Sequence, residues 1–249
     1  MKPIRRIFRL IRLVLHILNG VFLTLLFAGL LRMSFDTPFF KRLVGWWLGR
    51  IPHLMGIRVS VTGEPAGQAV LMVANHISWL DIAVLGGAAN PRFLSKQEVR
   101  HWPVIGWLAA KSGTLFITRG QAGAAAQAAS TILQALQSGR GVLLFPEGTT
   151  TTGNDVRTFH ARLFAPAFDA AVPVQPVALR YPGADGLTHP LVPYVDNQSL
   201  MDNLKAVLGE TGLRAEVHFL PLVETSGMDR KSVAARCEQQ IRAAVRSEG

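Results

Sequence analysis

Apolar runs at residues 69–74, 113–118, 141–145 and 171–181 limit this chain more than any other feature. Residues 69–74 carry no charge and read as a strand buried on both faces, residues 141–145 as another uncharged strand, residues 113–118 as a short strand leading to an arginine, and residues 171–181 as a strand containing Pro173 and Pro176. Between them lie segments of helical character: residues 77–89, the alanine-rich residues 122–137 stopped by Gly139, and residues 159–170. Strand–helix alternation of this kind implies an α/β fold, a mixed and largely parallel sheet flanked by helices. In such sheets functional groups gather on the loops at the carboxyl ends of strands. His76, Arg119 and Glu147 each follow one of the runs at once.

His76 stands at an expected strand-to-helix junction, and Asp81 comes five positions later. A neutral imidazole can take a proton from a hydroxyl through one ring nitrogen while a carboxylate holds the other N–H. A capping histidine with an unrelated helix-surface aspartate fits the same spacing, and the spacing does not choose between the two. Free N–H groups at the start of the following helix, or the turn at Gly148, are the candidate donors to a developing oxyanion. Ser78 reads as a first-turn helix residue.

The amino-terminal part is of another kind. Residues 13–31 form a run of nineteen residues without a charge. It is preceded by Lys2, Arg5, Arg6, Arg9 and Arg12, interleaved with apolar residues as in a basic amphipathic helix on an anionic membrane surface. The stretch after it, residues 39–58, is again basic and aromatic, with Lys41, Arg42, Trp46, Trp47, Arg50 and Arg58. Positive charge on both sides argues that both ends lie on one, cytoplasmic, face. The expected form is a helical hairpin dipping into one leaflet, turning at Asp36-Thr37-Pro38, with its second helix ending before Pro52. A full crossing is the other topology the run permits.

Charge distribution bears this out at the level of composition. Residues 1–58 hold ten Lys or Arg against one acid, whereas residues 59–249 hold sixteen against fifteen. A nucleic-acid reader would carry its positive charge on the folded body, so lipid headgroups are the expected partner and nucleic acid is not. The single cysteine, Cys237, excludes an intramolecular disulfide and a cysteine zinc cluster. No second histidine lies near His76 in sequence to complete a metal-ligand set, so no metal is expected. The expected division is an anchoring segment over residues 1–56 and an α/β domain over residues 57–249.

Ile57, Val59 and Val61 alternate as in an edge strand, and residues 92–96 read as a further strand. The apolar, aromatic residues 102–109 suit either core or a lipid-facing channel. Residues 199–208 look helical and residues 214–222 strand-like. The last helix, residues 229–246, places Val233, Cys237, Ile241 and Ala244 on one face, which makes Cys237 a buried small apolar residue.

Four blocks, NHISWLD with His76 and Asp81, GTLFITR with Arg119, FPEGTT with Glu147, and VPVQPVAL with Pro173 and Pro176, resemble those of the glycerolipid acyltransferase family. The resemblance covers residues 57–181, and the basic, apolar amino-terminal hairpin fits it too. It implies transfer of a fatty acyl group from an acyl-CoA or acyl carrier protein thioester to the free hydroxyl of a lysolipid, with no cofactor beyond that co-substrate. It also implies a place on the cytoplasmic face of a membrane, the bacterial inner membrane. His76 matches the family's general base and Asp81 its orienting partner. Substrate-binding roles are implied for Arg119, which suits a phosphate, for Glu147 with Gly148 and Thr149, and for Asn75 and Lys96. A structural carboxylate capping its turn is the competing role for Glu147.

The first acceptor the resemblance implies is 1-acyl-sn-glycerol 3-phosphate, giving phosphatidic acid. Two residues depart from the pattern of phosphatidic-acid-forming members: Thr150 stands where many have an arginine, and Thr118 where an acid often precedes Arg119. Arg157 or Arg162 can replace the lost charge. The departures bring in lyso-ornithine lipid or another lysophospholipid as acceptor, and a non-catalytic membrane lipid-binding protein is the remaining alternative.

Overall fold

A computed structural model describes residues 2–33, 37–117, 123–196 and 198–246. Helix α1 (Lys2–Thr24) runs on as a π-helical segment, Leu25–Leu30, and α2 (Pro38–Met55) returns beside it. The pairing is antiparallel: the Arg9 guanidinium lies beside Gly56, His16 stacks on Trp47, and Phe27 meets Phe39. Pro38 sits in the first turn of α2 and Thr37 caps it, accepting from Phe40 N–H. The two helices thus form the expected hairpin, although part of its turn, including Asp36, lies outside the described residues.

Two details of the hairpin differ from expectation. Helix α2 does not stop before Pro52 but passes through it to Met55. A proline in the last turn removes one N–H, and Gly56, with φ of 81°, lets the chain close on the carbonyls of Pro52 and His53. The basic residues of α1 are not all turned to a membrane surface either. Arg5 Nε donates to Gly209 O at 3.0 Å and Arg9 Nη1 to Leu208 O at 3.1 Å, at the carboxyl end of the helix Leu200–Gly209. Carbonyls left over at that helix end carry the negative end of the helix dipole, which attracts guanidinium groups. The opposite face of α1 stays apolar and exposed, with Ile4, Ile7, Phe8, Ile11, Leu15, Leu18 and Phe22.

The body is built from β1 (Arg58–Thr62), β2 (Leu71–Ala74), α3 (Leu80–Ala89), β3 (Arg92–Lys96), α4 (Gln97–Arg100), α5 (Ile105–Lys111) and β4 (Leu115–Ile117). There follow α6 (Ala124–Gln137), β5 (Val142–Leu144), a 3-10 turn (Ala161–Phe164), α7 (Ala165–Asp169), β6 (Val174–Arg180), α8 (Leu200–Gly209), β7 (Arg214–Phe219) and α9 (Arg230–Arg246). The strands form one sheet in the order β1-β7-β6-β2-β5-β3-β4. Its neighbours are parallel except β6 and β7, so β7 and β1 at one edge run against the other five strands.

Every residue of β2, β5 and β6 is buried, Arg180 at the end of β6 included, its Nη1 lying 3.5 Å from Glu216 Oε2. Alternation within β2 divides them between two cores. Val70, Met72 and Ala74 face α2, α3 and α8 with Met55, Val84 and Val207, while Leu71 and Val73 face α6, α7 and α9 with Ile132, Ala167 and Ile241. Cys237 belongs to the second core, and burial pushes its thiol up to about 12. Helix α2 packs on α3 through Gly49 and Gly87, where a Cβ on Gly87 would stand 2.4 Å from Gly49 Cα. That close approach couples the hairpin to the helix bearing Asp81.

The helix expected over residues 159–170 is a 3-10 turn followed by the short α7. Pro166 lacks the N–H a continuous helix needs, and Phe159 N–H is taken by Glu238 Oε2 at 2.9 Å. Residues 102–109 are not ordinary core: Trp102, Val104 and Ile105 are exposed ahead of and on α5, with Val104 at φ 61°.

Candidate active site

Strands β6, β2 and β5 are adjacent and parallel, so their carboxyl ends open on one edge of the sheet. Tyr181 follows β6, Asn75 and His76 follow β2, and Phe145 and Glu147 follow β5. The topology therefore collects at one place residues that are far apart in the chain.

His76 Nδ1 lies 2.7 Å from Asp81 Oδ2. An ionised carboxylate only accepts, so the ring presents its Nδ1–H there. The same oxygen accepts from the N–H of Ile77 at 2.7 Å and of Ser78 at 3.0 Å, and Oδ1 accepts from Tyr181 Oη–H at 2.8 Å. Asp81 is wholly buried with four donors converging on it, whereas the His76 side chain keeps 21% of its surface exposed. The imidazole stacks on Phe145, with ring centroids 3.9 Å apart and planes 13° from parallel. Held on one edge and one face, the ring leaves Nε2 as the atom without a hydrogen-bonding partner among the described residues.

The segment after His76 is not helical at once: α3 begins at Leu80, because the Asp81 side chain turns back to bond Ile77 and Ser78. Those two N–H groups are consequently not free to receive an oxyanion, contrary to the sequence expectation. His76 N–H is taken by Glu147 Oε1 at 2.8 Å, and Gly148 N–H by Phe145 O at 3.1 Å.

Glu147 is buried and its second oxygen accepts from Arg157 N–H at 2.8 Å. It clamps the loop after β2 to the loop after β5. Burial pushes its carboxyl above the usual range, the two backbone N–H groups and His76 acting the other way. Thr151 completes the clamp, its N–H donating to His76 O at 2.8 Å. Gly148 lies in the same turn at φ 74°, and Thr149 is exposed beside it. Thr150 Oγ donates to Tyr194 O.

Asn75, expected to touch substrate, is instead fully committed within the sheet. Its amide nitrogen donates to Leu179 O and its oxygen accepts from Leu179 N–H, both at 2.8 Å. A wholly buried amide with both ends satisfied has nothing to offer a ligand. Lys96 is exposed at the end of β3, where it pairs in register with Ile117, and its side chain makes no hydrogen bond or ion pair to a described residue. Arg119, with Thr118, lies outside the described residues. Arg157 and Arg162 are exposed, the former holding Glu147 through its backbone alone.

Tyr181, Phe145 and Thr151 are site residues that the sequence reading passed over. Tyr181 was open to the rule that singled out His76 and Glu147, since it directly follows an uncharged strand bar Arg180. Burial pushes its phenol well above the usual value, and Asp81 acts in the same direction. The hydroxyl is thus a fixed donor to that carboxylate.

Comparison with known proteins follows the same lines. The family model described as Acyltransferase matches residues 58–180. A lyso-ornithine lipid O-acyltransferase of Pseudomonas aeruginosa is 44% identical over 210 residues, 84% of this chain and 80% of that protein. One from Brucella abortus is 36% identical over 84% of this chain and 86% of its own length. A 1-acyl-sn-glycerol-3-phosphate acyltransferase of Neisseria gonorrhoeae is 34% identical over 74% and 73%. In fold, the chain resembles the crystal structure of the 1-acyl-sn-glycerophosphate acyltransferase PlsC from Thermotoga maritima, with a TM-score of 0.69 over 96% of this chain and 97% of that one, at 21% identity. Relatives this similar over most of both chains place the protein in the lysolipid acyltransferase family.

Proposed function

We propose that the protein transfers a fatty acyl group from an acyl-CoA or acyl carrier protein thioester to the free hydroxyl of lyso-ornithine lipid. The observation carrying the chemistry is the His76 ring fixed by Asp81 and Phe145 with Nε2 left unbonded. Nε2 takes the hydroxyl proton as the alcohol oxygen attacks the thioester carbonyl, and Asp81 stabilises the imidazolium that forms. The tetrahedral intermediate collapses by breaking the carbon–sulfur bond, and the imidazolium returns the proton to the departing thiolate. No covalent acyl-enzyme is needed.

The acceptor rests on two observations. The Pseudomonas and Brucella relatives carry the lyso-ornithine name, at 44% and 36% identity. Thr150 also brings a hydroxyl, tied to Tyr194 O, to the turn where a phosphate-binding guanidinium stands in many phosphatidic-acid-forming members. A second reading, 1-acyl-sn-glycerol 3-phosphate as acceptor, is favoured by the Neisseria relative and by the exposed Arg157 near the same turn.

Both helices of the hairpin stay against the body: α1 is tied to α8 through Arg5 and Arg9, and α2 lies along α3, with Lys41 O bonded by Asn90 and Gly49 packed on Gly87. This supports a hairpin seated in one leaflet with the domain on the cytoplasmic side, where acyl thioesters are found, in preference to a crossing. The apolar face of α1 supplies the lipid contact.

The test is a competition between both lysolipids for a labelled acyl thioester on purified protein in lipid vesicles. Labelled ornithine lipid is the expected main product, and His76→Ala is expected to abolish it at unchanged protein level. Phosphatidic acid as main product would overturn the acceptor, and normal turnover in His76→Ala would overturn the base.

A further inference from the structure

A cavity lies away from the proposed active site, between the two helices of the hairpin. Its volume is about 280 Å³, and Arg12, His16 and Asn19 of α1 face Trp46, Arg50 and His53 of α2 across it. Both sets repeat at helical spacing, so each helix turns one polar stripe to the other although the surrounding surface is apolar. No acid lines the cavity, and neither Arg12 nor Arg50 makes an ion pair with a described carboxylate. Residues 1–58 hold a single acid in all.

His16, which lines the cavity, is fixed from behind by Trp47. His16 stacks on Trp47 at 4.9 Å between centroids, and the pair is doubly bonded: Trp47 Nε1–H donates to His16 O at 3.0 Å, and His16 Nε2 lies 2.9 Å from Trp47 O. Gly20 lets the indole in, since a Cβ there would come within 2.7 Å of it. Arg50 is laid over the Trp46 ring with its Cζ 5.7 Å from the centroid, which restricts the guanidinium before any ligand arrives.

We propose that this cavity binds the phosphate headgroup of an anionic membrane lipid, with the guanidinium groups of Arg12 and Arg50 donating to the phosphate oxygens and Asn19 and His53 at the rim. Two arginines that line one small cavity, Arg12 with its Cζ 5.4 Å from the Phe8 ring centroid and neither in an ion pair with a described carboxylate, suit a phosphate, which accepts bidentate bonds from each. A lipid fits better than free phosphate because Trp46 and Leu54 bring apolar surface into the lining, Trp46 being itself exposed, and Leu15, next to His16 on α1, is exposed as well, so acyl chains would find apolar cover there. The site is separate from the acyl-transfer chemistry and does not depend on it. Its place on α2, which packs on α3, makes a bound lipid a brace for the helix bearing Asp81.

The experiment titrates the full chain in neutral detergent with phosphatidylglycerol and reads bound lipid by native mass spectrometry. One lipid per chain is expected, and Arg12→Gln with Arg50→Gln should weaken it by about tenfold or more. Lys41→Gln with Arg42→Gln removes the same charge from outside the cavity and should weaken it by less than about threefold. Arg12→Lys with Arg50→Lys keeps charge and loses the fork, so an intermediate loss is expected, and this pair carries the test if the glutamine pair does not fold. Equal losses in the two glutamine pairs would make the effect diffuse charge and overturn the proposal. Displacement of the lipid by inorganic phosphate at equal concentration would also overturn it, by making the occupant a soluble anion, and so would equally tight binding of phosphatidylcholine.

Discussion

Replacing Asp81 by asparagine separates the charge of this side chain from its shape. In the structure Oδ2 accepts from three N–H groups and Oδ1 from one O–H. An asparagine oxygen can take the place of Oδ2, and its NH2 can donate to Tyr181, whose hydroxyl reverses from donor to acceptor. All four contacts survive in form. Turning the three N–H bonds from charged to neutral loses roughly 1 kcal/mol each, and relief from burying a charge offsets much of that, so the net destabilisation expected is about 1–2 kcal/mol. Turnover should fall much further, about 100- to 10,000-fold, because nothing then balances the imidazolium. Asp81→Ala behaves differently: four buried donors lose their acceptor, and a stability loss of roughly 3–5 kcal/mol is expected. The assays are release of free thiol from an acyl thioester in the presence of lysolipid, and thermal unfolding of the same preparations. Asp81→Asn retaining turnover within about threefold of the parent, with its fold intact, would refute the charge argument.

Three other perturbations follow from the same geometry. Glu147→Gln places an amide NH2 against one of two backbone N–H donors, so a loss of about 1–3 kcal/mol is expected at acid pH. The Glu147 carboxyl is pushed up by burial, so the folded state binds the proton more tightly than the unfolded one. Its contribution is complete below the unfolded value near ~4.3 and is lost as pH rises through the raised value, so the stability gap between parent and Glu147→Gln should narrow with rising pH. A gap that widens, measured by denaturant unfolding across that range, would contradict the burial argument. Tyr181→Phe leaves a buried carboxylate oxygen with one donor fewer and should cost about 1–3 kcal/mol in thermal unfolding, with a smaller loss of turnover than Asp81→Asn. Thr150→Arg restores a guanidinium at the turn and should raise the ratio of phosphatidic acid to ornithine lipid formed in competition by roughly tenfold; an unchanged ratio would mean that this position does not read the acceptor.

Local physics was already legible in the chain. Apolar runs become β2, β5 and β6 because only a strand covered on both sides can hide every side chain, and helix periodicity placed Cys237 on the buried face of α9. The amino-terminal hairpin followed from an apolar run with positive charge at both ends. His76 and Asp81 were legible as a possible pair, since the five-residue spacing lets the side chain fold back within one turn. What stayed hidden depends on which strands become neighbours. Tyr181 lies 100 residues from Asp81, and Glu147 lies 71 from His76, and only the adjacency of β6, β2 and β5 brings them together. Arg5 and Arg9 cap a helix 204 and 199 residues away, so a basic stripe that suits lipid by composition is partly spent within the protein. Periodicity and charge report what a segment needs covered, whereas the choice of cover, another strand, a distant helix end or a bilayer, is made by sheet order and long-range packing.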